Sequence, residues 1–104
     1  MALKRVVVTG LGALTPIGNN LKDFWSGLIA GKSGSAPVTY FDTEKFKTKF
    51  ACELKGFDPL EFLDRKQQRK MDRFTQYGMV STDEAIIDSG IDLEKIDKLR
   101  VGVI

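Results

Sequence analysis

Histidine is absent from all 104 residues. That gap removes the commonest general base, the usual proton acceptor beside a serine or cysteine nucleophile, and the commonest metal ligand. Cysteine occurs once, as Cys52, which excludes an internal disulfide framework and agrees with a reducing compartment. No run approaches the roughly 18 apolar residues of a membrane span, and the opening MALKR lacks the apolar segment of a secretory signal. A cytoplasmic setting without a membrane partner is therefore expected. Charge of one sign is also missing: 16 Lys and Arg against 14 Asp and Glu leave +2, too mild a balance to imply nucleic acid. There is no repeat and no low-complexity segment.

What remains is 42% hydrophobic and 29% charged residues, the composition of one soluble globular domain. The stretch VVVTGLGALTPIG opens it. Val6, Val7 and Val8 read as a short strand buried on both faces, and Gly10, Gly12, Pro16 and Gly18 supply the backbone angles of a tight, packed turn. A dinucleotide loop would need a third glycine where Thr15 stands, so a structural strand-to-helix turn fits better. Asn20 is placed to cap a helix whose apolar face is Leu21, Phe24, Trp25, Leu28 and Ile29, and Gly31 ends it. Within it GLIAGKS imitates a phosphate loop, but only three residues separate its glycines where four are required.

Residues 33–47 form a long connection anchored by Tyr40 and Phe41. Residues 48–54 alternate as a strand, with Phe50, Cys52 and Leu54 on one face; on that reading Cys52 is a buried small hydrophobe, not a reactive thiolate. Asp58-Pro59 opens a short helix with Leu60, Leu63 and Phe62 inward, and Asp64 or Asp72 can cap the next helical segment. The segment RKQQRKMDR carries five cations and one anion, a local charge of +4. Lys66, Arg69, Lys70 and Arg73 are spaced by three and four, so a helix there lines them along one side.

Residues 74–89 predict a further helix with Phe74, Tyr77, Val80, Ala85 and Ile86 as its stripe and Gly90 as its stop. Gly78, Ser81 and Ala85 are small enough for a neighbouring element to approach closely. After a turn-rich 91–98, residues 99–104 read as another buried strand. Strand, helical material and strand make half of a layered α/β unit, and the expectation is the amino-terminal portion of something longer.

VVVTGLGALTPIGNN, FWSGLIAGKSG, YFDTEKFKTKFA and DRKQQRKMDRFTQYGMVSTDEAIIDSGI together resemble, in order, the β-ketoacyl-acyl-carrier-protein synthases of the elongating, synthase II type. The resemblance implies a thiolase-like layered α/β fold, with residues 1–104 as the amino-terminal part of a ketosynthase domain and the remainder of the domain absent. It implies a homodimer, no metal or redox cofactor, and an acyltransferase performing a decarboxylating condensation through a cysteine thiolate, two histidines and backbone amides. None of those catalytic positions falls within this sequence, and the nucleophile's role does not transfer to Cys52. A module that binds carrier protein or a dimer partner without catalysis is the alternative.

The one functional element that the resemblance places inside the chain is a docking helix for acyl carrier protein, an acidic helical partner, matched here by Lys66, Arg69 and Lys70. From spacing alone RKQQRK reads better as a solvated helix face than as a docking surface; the resemblance reverses that preference. Nucleic-acid binding is disfavoured because no aromatics interleave the patch.

Overall fold

Residues 2–104 are described by a computed structural model. Its organising element is a long helix onto which the glycine-rich opening segment is laid. In chain order the elements are α1 (Leu21–Ile29), β1 (Ala36–Pro37), β2 (Phe50–Ala51), a 3-10 turn (Pro59–Glu61), α2 (Arg65–Lys70), α3 (Arg73–Ser89) and a second 3-10 turn (Lys98–Arg100).

Local chemistry sets the helix ends. The Asn20 side chain accepts from the Asp23 amide at 2.8 Å to start α1, and Gly31 at φ +65° leaves it in the left-handed region. Gly90 at φ +64° ends α3 in the same way. Ahead of α1, Thr15 and Gly18 exchange backbone hydrogen bonds of 2.9 and 3.2 Å, closing the turn expected around Pro16. Lys55 Nζ stitches that turn to the later loop by donating to the carbonyls of Pro16, Gly34 and Glu53.

Gly10 and Gly12 are required by close approach. A Cβ on Gly10 would run into the Ala85 carbonyl and the Ser89 amide, and one on Gly12 into the Ser81 carbonyl. The small α3 residues Ser81 and Ala85 therefore admit a neighbour as expected, whereas Gly78 faces open space. Two α3 carboxylates complete the contact: Glu84 accepts from the Ala13 amide at 2.9 Å and the Leu21 amide at 2.7 Å, and Asp88 from the Leu11 amide at 2.9 Å.

Several expected elements differ. Residues 6–8 and 101–104 pair with no strand among the described residues, and both segments are exposed instead of buried. A strand exists through its neighbours, and among the described residues only β1 and β2 pair, antiparallel, with Ala36 opposite Ala51 and Pro37 opposite Phe50. Residues 98–100 form a 3-10 turn where a strand was expected. The 48–54 strand contracts to Phe50–Ala51, because its partner is short and includes Pro37, which has no N–H to donate. Among the described residues no second layer covers this ladder, so Phe50 and Cys52 are exposed, which corrects the expected burial of the thiol. Leu60 and Phe62 are likewise exposed, and among the described residues only Leu63 and Val80 form a buried hydrophobic core.

Candidate functional site

The basic segment becomes a helix because its ends are capped. Asp64 Oδ1 accepts from the Gln67 amide at 2.7 Å while Gln67 Oε1 accepts from the Asp64 amide at 3.2 Å, a reciprocal capping box. Buried Leu63 moors the entry, its amide donating to the Pro59 carbonyl at 2.8 Å. The exit is held by Gln76, a buried α3 side chain whose Nε2 donates to the carbonyls of Gln68 and Met71, each at 3.2 Å. The Gln68 carbonyl also takes the Met71 amide at 3.4 Å, so the helix exit is tied both by its own cap and from a neighbouring element. Sequence reasoning missed Gln76, which sits among apolar positions of α3 and carries no local signal of its role.

Lys66, Arg69 and Lys70 are exposed, and their spacing of three and four places them along one side of α2. Among the described residues the ion pairs are Lys95 with Asp92 and Lys98 with Glu94, so this row has no internal counter-charge. Like charges three and four apart cost a helix about 0.2–0.5 kcal/mol per pair. The capping box and Gln76 offset that repulsion, and the helix C-terminus favours Arg69 and Lys70. The arrangement is a fixed, uncompensated line of positive charge.

Arg73 does not continue the row. Met71 is extended at φ −121°, ψ 137°, which breaks the helix, and Asp72 stands as N-cap of α3. The Arg73 guanidinium carbon lies instead 4.2 Å from the centroid of the Tyr40 ring. Tyr40 and Phe41, expected to anchor the connection, are instead both about half exposed, Tyr40 against Arg73 and Phe41 against Phe46. Burial pushes the Tyr77 hydroxyl above its ordinary pKa, and the nearby Tyr40 hydroxyl adds to the shift. Phe57 meets Tyr77 edge-on at 5.5 Å and stacks on Phe62 at 5.8 Å, so the three rings form one aromatic cluster.

The profile of the β-ketoacyl synthase amino-terminal domain matches residues 3–104. Similar proteins include the 3-oxoacyl-acyl-carrier-protein synthase 2 of Synechocystis sp., 45% identical over 101 residues, covering 97% of this chain and 24% of that protein. Among solved structures, the ishigamide ketosynthase/chain length factor superposes with a TM-score of 0.82 at 36% identity, covering 91% of this chain and 24% of the other. A type II polyketide ketosynthase solved with its acyl-carrier protein (AntDE:AntF) superposes with a TM-score of 0.66 at 28% identity, covering 88% and 23% respectively. The chain spans about a quarter of the length of the curated relatives it matches.

Proposed function

The chain belongs to the β-ketoacyl synthase family, carrying the thiolase-like fold of its amino-terminal domain, and from that premise we propose that the whole protein elongates fatty acyl chains. The observation that carries this reading is the match along nearly the entire chain, at 43–47% identity, to relatives named 3-oxoacyl-acyl-carrier-protein synthase 2. That name favours catalysis over the non-catalytic module.

In the proposed reaction an acyl group moves from its carrier thiol to a cysteine thiolate. Malonyl on a second carrier loses carbon dioxide, and the carbanion so formed attacks the acyl thioester, expelling the cysteine thiolate and leaving a β-ketoacyl carrier protein. The nucleophile and the two histidines of this mechanism lie outside the 104 residues, which contain no histidine. Cytoplasmic operation as a homodimer is part of the same proposal.

The contribution assigned to this chain is docking of acyl carrier protein through Lys66, Arg69 and Lys70. Support comes from their exposure and lack of internal counter-charge, and from the solved ketosynthase relative in complex with its acyl-carrier protein. A row of cations facing carboxylates raises the encounter rate and sets orientation, and its effect weakens with salt. The test is charge reversal in the whole protein. Lys66→Glu with Arg69→Glu should weaken carrier-protein binding and lower the condensation rate at limiting carrier concentration, most at low ionic strength. Unchanged affinity at low salt would remove the docking assignment.

A further inference from the structure

We infer that Arg73 is a second, pre-oriented cationic contact for the acidic carrier partner, aimed by Tyr40 and separate from the α2 row; this rests on the docking reading above. Three features of the structure carry it. Arg73 is exposed at the first turn of α3. It has no carboxylate partner among the described residues. Its guanidinium lies over an aromatic face at 4.2 Å.

A carboxylate partner would neutralise Arg73 and occupy its planar fork. An aromatic face does neither: it holds the guanidinium through the ring's quadrupole and leaves the edge N–H donors facing outward. The side chain is thereby restrained before a partner arrives, which lowers the ordering cost of binding. Lys66 and Lys70, in contrast, are flexible ammonium groups suited to long-range attraction. The break at Met71 acquires a consequence, since it takes Arg73 off the α2 row and onto Tyr40. Arg73 and the α2 residue Gln68 line one cavity whose wall includes none of Lys66, Arg69 or Lys70, so Arg73 is a contact separate from the row. A partner presenting carboxylates along a helix meets a diffuse row on α2 and a directional, bidentate contact beside it.

The experiment measures the dissociation constant of the whole protein for acyl carrier protein at low ionic strength, with thermal unfolding recorded for each variant. Arg73→Gln should weaken binding roughly three- to fivefold, the upper range for an exposed ion pair. Arg73→Lys should lose nearly as much, because an ammonium cannot reproduce the fork. Tyr40→Phe keeps the ring and should bind like the parent. Tyr40→Leu should weaken binding like Arg73→Gln and add nothing in the Arg73→Gln background, the mark of a residue acting through another. Parental affinity for Arg73→Gln alongside weakened Lys66→Glu with Arg69→Glu would overturn the Arg73 inference and leave the α2 reading standing. Parental affinity for both would overturn the two together. A loss with Tyr40→Leu that persists in the Arg73→Gln background would overturn the positioning role.

Discussion

Glu84 carries the attachment of the opening segment to α3, and Glu84→Gln should loosen that attachment in a measurable and local way. Its two carboxylate oxygens accept from different amides, Ala13 at 2.9 Å and Leu21 at 2.7 Å, in a half-buried site. A hydrogen bond to a charged group contributes about 1.5–3 kcal/mol, and leaving a buried donor without a partner costs about 1–3 kcal/mol. Glutamine retains one acceptor oxygen and turns an N–H₂ donor against the other amide. The net loss should be about 2 kcal/mol, equivalent to about a 30-fold increase in local opening. Asp88 is the internal control: it takes a single amide, Leu11, at an exposed position, and Asp88→Asn keeps an acceptor oxygen there. Its effect should stay below about fivefold, within the range of an exposed interaction. Amide hydrogen exchange on the whole protein reads both. Protection at Ala13 and Leu21 should fall with Glu84→Gln while the distant α2 amides stay unchanged. Equal losses from the two substitutions, or none from Glu84→Gln, would refute the bidentate clamp.

Gly12→Ala should lower the thermal midpoint, because the new Cβ meets the fixed Ser81 backbone and overpacking costs about 1–3 kcal/mol; Gly78→Ala, which meets nothing in the described residues, should raise stability by about 0.5–1 kcal/mol. The Glu53 carboxyl is held below its ordinary pKa chiefly by the Thr39 hydroxyl, which donates to it at 2.7 Å. A depressed carboxylate contributes fully above its unfolded pKa and loses that contribution as pH falls through the folded value. Protection of the Thr39 amide should therefore drop on acidification, and Glu53→Gln should remove that dependence.

The features legible in the sequence are those settled within a few residues. Asn20, Asp58 and Asp64 cap because each side chain reaches an amide two or three positions ahead, and Gly31 and Gly90 stop helices because each adopts a positive φ. Lys66, Arg69 and Lys70 share a side for the same local reason. The break after Lys70 was only half legible: both Asp64 and Asp72 offered themselves as caps, and the charge spacing ran across the junction. What could not be read were pairings across the fold. Glu84 lies 71 positions from Ala13, and nothing near either residue announces the bond. The valines of 6–8 and 101–103 carried a strong strand pattern, but pattern gives propensity, whereas pairing needs a neighbour.

Two kinds of exposed surface remain, and they call for different partners. The described fold exposes 9075 Å² with a radius of gyration of 17.6 Å. A compact protein of this mass exposes roughly 5,800 Å², with a radius near 13 Å. The excess of roughly 3,000 Å² is larger than the total surface buried in an ordinary protein–protein contact. Val6, Val8, Trp25, Ile29, Ile87 and Val103 are among the large apolar side chains that face water. Large uncovered apolar area of that kind matches a permanent interface or a core, whose contacts form once and stay. The α2 helix is the opposite case, since every one of its residues, RKQQRK, is polar. Burying that helix permanently would cost the desolvation of its four cations with no internal anion to offset it. It is therefore stable only facing solvent or a partner that supplies the missing charge and leaves again, and a carrier that must deliver one acyl group and then another has that requirement.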